Sequence, residues 1–274
     1  MRSILPFLFA IVFLSSCSEY QKALKNEDVK TKYDMAEKLY EEGDYKRAVR
    51  LFEQIAPKYV GRPQGERVMF FFADSYFQNK DYYLSGYQFE RFMKSYPKSE
   101  KLQEASFMGA KSYYMLSPAY SLDQTDTDKA LAKLQTFINT YPESEHFEEA
   151  NTMAKELTSK KEKKQMEIAK QFNKLGAWDY SILVSAITAL DNFVSDNPGS
   201  IYREEALYYR IEATATLALN SVNNKKEERL REALDSYKNL LRYYPESKFK
   251  KKADNLSDKI QKELSAFTVI SDSK

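Results

Sequence analysis

The stretch Ser85-Gly86-Tyr87-Gln88-Phe89-Glu90-Arg91-Phe92-Met93-Lys94-Ser95-Tyr96-Pro97-Lys98-Ser99 decides how this chain folds. Ser85, Phe89, Phe92 and Tyr96 stand at steps of four, three and four, which puts them on one face of a helix. The small residue at the head lets a paired helix approach closely. Pro97 lacks an N–H and drives the residue before it out of the helical region, so the helix is expected to stop there. Ser99, two residues on, is a good cap for a following helix.

The pattern recurs along the chain. Ala48, Phe52, Ile55 and Tyr59-Val60 come before it. Ala130, Leu134, Phe137 and Tyr141-Pro142 follow, then Ala186, Leu190, Phe193 and Asn197-Pro198, and finally Ala233, Tyr237, Leu240 and Tyr244-Pro245. An offset of 37 lays Ala36-Glu37-Lys38-Leu39-Tyr40 on Ala73-Asp74-Ser75-Tyr76-Phe77, and Asp44-Tyr45 on Asp81-Tyr82. One such helix pair cannot bury its own apolar face, so five copies predict a stacked array. With 7 glycines, 8 prolines, 30% charged and 14% aromatic residues, the composition suits packed amphipathic helices with short connections.

Successive Pro spacings are 45, 56 and 47 residues. The excess over a short repeat falls in identifiable places. Ser117 to Asp128 reads as an inserted loop, Asn151 to Gly176 as a long charged helix, and Asn220 to Asn224 as a break. Lys250 to Ala266 reads as a closing helix with Ala253, Leu256, Ile260 and Leu264 on one face. The whole resembles the tetratricopeptide repeat, whose unit is about 34 residues. The expected fold is therefore all-α, a right-handed superhelical solenoid of about five tetratricopeptide-like helix pairs.

The N-terminus carries a separate message. Met1-Arg2-Ser3 is followed by an apolar run from Ile4 to Leu14, which has signal-peptide length and is too short to span a bilayer. Leu14-Ser15-Ser16-Cys17 resembles the bacterial lipobox, in which the cysteine becomes the N-terminus and receives an S-diacylglycerol and an N-acyl lipid. Cys17 is the only cysteine, so no intramolecular disulfide can form. Two or more acyl chains suffice for stable anchoring. The expected organisation is a signal peptide over 1–16, a lipidated linker over 17–29, repeats one to three over 30–150, repeats four and five with the closing helix over 151–267, and a flexible tail over 268–274.

Catalytic and polyanion-binding classes find little support. His146 is the sole histidine, which removes zinc motifs that need two histidines, and the sequence offers no catalytic constellation around it. Glu148-Glu149 and Glu204-Glu205 are neighbours in sequence and do not face each other on a helix. Gly61-Arg62-Pro63-Gln64-Gly65 reads as a connecting turn. With 42 Lys and Arg against 40 Asp and Glu there is no basic stripe for nucleic acid, and Lys160-Lys161-Glu162-Lys163-Lys164 reads as a solvated helix face.

A lipobox followed by five degenerate repeats resembles the BamD lipoprotein family of the outer-membrane β-barrel assembly machine. The resemblance rests on Ala36 to Phe52, on Asp123 to Ala130 and on Lys174-Leu175-Gly176-Ala177-Trp178. It implies a periplasmic scaffold that docks the barrel-forming core subunit and helps recruit unfolded outer-membrane proteins. It implies no metal, no cofactor beyond the lipid on Cys17, and no enzymatic activity. Ser18 is not the aspartate that retains lipoproteins at the inner membrane in some bacteria, which favours the outer membrane, and the resemblance implies its periplasmic face.

In such repeats the first helix of each pair lines the binding surface. The candidates are Lys30, Tyr33, Glu37 and Tyr40, then Arg67, Phe70, Asp74 and Phe77, then Phe107, Lys111 and Tyr114. Outer-membrane barrel strands end in an aromatic residue and a carboxylate. Tyr33, Tyr40, Arg67, Phe70, Asp74 and Phe77 would form the peptide groove, with rings as a shelf and Arg67 as a two-pronged hold on the carboxylate. The run Phe70-Phe71-Phe72 must also put at least one ring into a helix interface. Contact with the core subunit is expected at repeats four and five. The alternative function is a different envelope lipoprotein of this repeat type, taking another peptide, cell-wall or solute ligand in the same groove.

Overall fold

The computed structural model describes residues 19–272, with side chains as far as Ala266. The expected signal peptide over 1–16, the expected lipidation site Cys17, Ser18 and the last two residues lie outside the described residues. Every described element is helical: α1 (19–25), α2 (Val29–Glu41), α3 (Tyr45–Tyr59), α4 (Gly65–Gln78), α5 (Tyr82–Ser95), α6 (Leu102–Leu116), α7 (Thr125–Thr140), α8 (Phe147–Leu175), α9 (Ser181–Asp196), α10 (Arg203–Leu219), α11 (Asn223–Tyr243) and α12 (Lys250–Asp272).

The chain divides into two compact units, one holding residues up to Pro118 and Asp123–Leu157, the other Ala119–Leu122 and everything from Thr158. In the first unit each helix from α2 to α7 packs on the next, and α2 also touches α4 as α4 touches α6. In the second unit α9 to α12 pack in series and α10 touches α12. Contact between a helix, its partner and the first helix of the following pair is the signature of stacked helical hairpins.

The recurring positions explain this packing. The small residues Ala48, Ser85, Ala130, Ala186 and Ala233 are all fully buried, as are Phe52, Ile55, Phe89, Phe92, Leu134, Phe137, Leu190 and Leu240. Each large apolar side chain withdrawn from water contributes roughly 1.5–3 kcal/mol. Ser85 keeps its hydroxyl satisfied by donating to the Ala73 carbonyl at 3.0 Å while accepting from Ser112 at 3.0 Å.

The helix stops follow from proline. Tyr96, Tyr141, Asn197 and Tyr244 each precede a proline and adopt φ −130°, −129°, −125° and −133° with ψ 63°, 62°, 61° and 74°. Val60, where proline is missing, takes φ −55° and ψ 126°, and Gly61 turns the chain at φ 76°. The serine after the proline is not the helix cap expected from sequence. Ser99, Ser144, Ser200 and Ser247 accept from the N–H two residues ahead, at 2.9, 3.2, 3.1 and 3.1 Å. Their hydroxyls also bond to a side chain of the preceding repeat: Ser99 to Glu66 at 2.5 Å, Ser144 from Gln103 at 2.7 Å, Ser200 to Glu162 at 2.8 Å and Ser247 to Glu204 at 2.7 Å. The serine is a cross-repeat clasp.

Three expected boundaries change. Residues 17–29 are not simply a linker, because α1 occupies 19–25 with Tyr20 and Ala23 buried. The tail placed at 268–274 is helical as far as Asp272. The division falls after Leu157 and not after residue 150, since Ala150, Met153 and Leu157 of α8 pack with Phe107 and Phe137 in the first unit.

Candidate partner-binding surfaces

In the first unit, Arg67 of α4 is exposed, Tyr33 and Tyr40 of α2 and Phe77 of α4 are half-buried, and Asp74 is buried. Tyr40 stacks on Phe71 with ring centres 4.2 Å apart and planes 11° from parallel. Its hydroxyl donates to Asp74 at 2.6 Å, and Gln78 donates to the other oxygen of that carboxylate at 3.1 Å. Burial and then the Asp74 hydrogen bond push the Tyr40 phenol far above its ordinary range. The Arg67 guanidinium lies 5.0 Å over the Phe71 ring, pairs with Glu37 and reaches Glu41 at 3.9 Å. Tyr33 donates to Glu37 at 3.2 Å, and burial, followed by the Glu37 charge, raises its phenol. Phe77 meets Tyr82 edge-on at 5.4 Å.

Phe70 is a correction. It is buried, edge-on to Phe89 and Phe92 at 5.7 and 5.5 Å, and belongs to the core. Phe71 is the ring of that run which joins the patch. Arg67, Phe71, Asp74 and Gln78 stand at i, i+4, i+7 and i+11, one helical face, whereas Phe70 and Phe72 flank it. Phe107 is likewise a core ring, stacked on His146 at 4.2 Å. Lys111 pairs with Glu149 at 2.8 Å, and Tyr114 donates to Glu156 at 2.5 Å, a bond that with burial pushes its phenol up to about 12. Lys30 pairs with Asp34 on the exposed side of α2.

The chemistry of the patch follows from its charges. Arg67 is committed to Glu37 and Glu41, and Asp74 adds a third carboxylate against one guanidinium. An incoming carboxylate must displace Glu37 from Arg67 against that surplus of negative charge. The patch as built suits apolar rings and neutral or basic polar groups.

The second unit holds a larger groove of about 1110 Å³, walled by α8, α10 and the Tyr120-Ser121 segment. Its apolar lining includes Ile168, Leu175, Trp178 and Tyr209. Trp178 is 90% exposed, the highest value among the large apolar side chains described. A tight turn holds it there. A Cβ on Gly176 would stand 2.2 Å from Cδ2 of the buried Leu183, so glycine lets α8 end close against α9 without displacing that side chain. The Asp179 carboxylate then accepts the Ser181 hydroxyl and N–H, the latter at 2.9 Å, which holds its carboxyl below the ordinary value and starts α9. Lys170 is retained as a cation: burial opposes its charge, but hydrogen bonds to Glu167 and Glu205 outweigh it and raise its pKa. Asn173 donates to Glu212 at 2.9 Å.

The profile of the YfiO family, described as "Outer membrane lipoprotein", matches residues 25–182 and 179–269. The chain belongs to the YfiO family. It is a lipoprotein of the BamD type. No curated protein matches the YfiO chain significantly. Among solved structures it is similar to two crystal structures of nearly identical TPR-like repeats of a kinesin light chain from Podosopora anserina. The first is 13% identical, covering 90% of this chain and 97% of that one at a TM-score of 0.33. The second is 14% identical, covering 81% and 100% at 0.32. The all-helical repeat is evident in the helix pairing itself.

Proposed function

We propose that this YfiO-family chain is a lipid-anchored periplasmic scaffold of the outer-membrane β-barrel assembly machine. The observation that carries the reading is the family match across both units. Cys17 carries the acyl groups, and the protein faces the periplasm from the outer membrane. The second unit docks the barrel-forming core subunit at the Trp178 groove, where a large exposed indole, Leu175 and Ile168 supply the aromatic and aliphatic anchors typical of interface hot spots. The first unit meets unfolded outer-membrane proteins at the Tyr33, Tyr40, Arg67, Phe71, Asp74 and Phe77 patch, whose rings receive aromatic side chains. It performs no chemistry and carries no cofactor besides its lipid.

The test is copurification with depletion. Detergent-solubilised acylated protein retrieves a large barrel protein with periplasmic domains, and depletion lowers many outer-membrane proteins together. Recovery of no barrel protein, with a single solute phenotype on depletion, would overturn the proposal.

A further inference from the structure

The turn from α11 into α12 is built like its counterparts but charged unlike any of them. Ser247 bonds to Glu204 at 2.7 Å and the Lys248 N–H donates to the same carboxylate at 2.9 Å, so the clasp that shapes the turn is intact. The helices that follow the equivalent turns carry acids in their first turn: Glu104 in α6, Glu148 and Glu149 in α8, Glu204 and Glu205 in α10. The positive end of a helix favours acids there. In α12 the first turn has no acid and begins Lys250-Lys251-Lys252, just after Lys248-Phe249. Three cations at a helix N-terminus oppose its dipole, so the fold itself gains nothing from them.

These lysines share one edge of the second unit with two arginines. The Arg203 guanidinium lies 4.3 Å over the Tyr243 ring, and that of Arg242 stands 5.9 Å from it. Tyr243 and Ile201, two residues before Arg203, are exposed. Lys248, Lys250, Lys251, Lys252 and Arg242 are exposed too, and Arg203 is half-buried. Among the described residues none of these six cations makes an ion pair. Most acids around them are engaged. Glu204 is in the clasp, and Asp254 accepts from Tyr237 at 2.7 Å. Asp191, Glu232 and Asp235 line a groove with Arg242 but are held by Arg210 and Lys238. Glu246 in the turn and Asp196 at the end of α9 are the exposed acids nearest in the chain, two against six cations, and Asp258 lies two helical turns further along α12.

We propose that this edge, made by the first turns of α10 and α12 and the turn between α11 and α12, docks an acidic segment of a partner protein with apolar side chains between its carboxylates. Arg203 supplies the specific contact. Its Nε is buried without an acceptor, so a ligand reaches the guanidinium through the two Nη groups, a planar fork matched to a carboxylate. Ile201 and Tyr243 flank it for apolar contact. The lysines are flexible point charges that steer the segment in. A flat anionic bilayer would also meet Glu246, which lies between the two groups of cations in the chain, whereas a narrow segment passes beside it. None of the six cations lines the Trp178 groove, so this surface is additional to that docking point.

The test titrates the detergent-solubilised mature chain into a fluorescein-labelled peptide of alternating glutamate and tyrosine, read by anisotropy, with glutamine in place of glutamate as the neutral probe. The acidic peptide should bind and the neutral one should not. K250E/K251E restores the acids that the other repeats carry, so it should melt no lower than the parent while weakening the acidic peptide on the order of tenfold or more. K259E/K262E makes the same change of charge further along α12 and should leave the affinity within about twofold of the parent. Equal loss in the two variants would mean that only net charge is sensed, and unaltered affinity in K250E/K251E would mean that the peptide binds elsewhere; either overturns the proposal. A lower melting temperature in K250E/K251E overturns it as well, since the lysines would then serve the fold. Dihexanoyl phosphatidylglycerol is the competing probe. If it displaces the peptide at equal concentration while dihexanoyl phosphatidylcholine does not, the edge recognises a lipid headgroup and the proposal fails.

Discussion

The Tyr33–Tyr40–Phe71 patch of the first unit and Trp178 of the second present aromatic rings in opposite ways. In the first, Tyr33, Tyr40 and Phe71 have partners within the chain: Tyr33 bonds to Glu37, Tyr40 bonds to Asp74 and stacks on Phe71, and Phe71 lies under Arg67. In the second, Trp178 is held out by a turn and is almost entirely solvated. A surface already satisfied internally must give something up to bind, which favours transient contact. An indole presented by a rigid turn loses little on binding. The difference suits a substrate-meeting patch in one unit and a stable docking point in the other.

That comparison breaks most readily at Trp178. Trp178→Ala should weaken core-subunit binding by roughly 2–4 kcal/mol with the melting temperature unchanged, since the side chain packs on little of its own protein. Surface-plasmon affinity against the solubilised core subunit checks it, and an unaltered affinity would remove the groove from the interface. Gly176→Ala should act differently, forcing a methyl group onto Leu183 and costing about 1–3 kcal/mol in denaturant unfolding. Binding should fall with it as the turn shifts.

In the first unit, Tyr40→Phe leaves Asp74 with the Gln78 bond alone and should cost about 1–2 kcal/mol at neutral pH. The same substitution has a pH signature. The folded Tyr40 phenol is raised above its ordinary value of 10.0, so the folded state keeps a proton that the unfolded state gives up. Stability from this group is complete below pH 10 and is lost as pH rises above it, at about 1.4 kcal/mol per pH unit. Unfolding titrations from pH 9 to 11.5 should therefore show a shallower alkaline loss in Tyr40→Phe than in the parent. Equal slopes would mean that the hydroxyl is not held as described. The smallest effect is expected at Lys80, which occupies the left-handed region at φ 64° where the equivalent turn one repeat earlier has Gly43 at φ 78°. Lys80→Gly should raise stability by about 0.5–1 kcal/mol by relieving Cβ strain. A thermal melt at matched concentration measures it.

Legibility in the sequence followed periodicity. The buried positions of α3, α5, α7, α9 and α11 were readable because steps of four, three and four repeat five times, and the helix stops because proline leaves its predecessor few conformations. The patch was readable only in part. Taking Ala36 and Ala73 as equivalent brings Tyr40 and Asp74 together and, because i and i+3 are neighbours on a helix, puts Phe70 beside Arg67, yet packing turns Phe70 toward Phe89 and Phe92. Three consecutive phenylalanines carry no periodic signal of their own, so packing from α5 had to choose among them. Trp178 carries no signal in the sequence beyond its place in a family-like stretch, because a single exposed tryptophan gives no pattern.

By itself the sequence determined that the described chain is helical, where each hairpin ends, and which small residue each helix turns inward, since these are local consequences of side-chain spacing and backbone restriction. Only the tertiary structure decided that the post-proline serines clasp the preceding repeat, that residues 19–25 dock on the first unit, and that Phe71 is the ring left at the surface. Those outcomes join residues roughly 20 to 45 positions apart, or select among chemically identical neighbours. Such choices are made by the shape of the surface a segment meets, and no short window of sequence contains it.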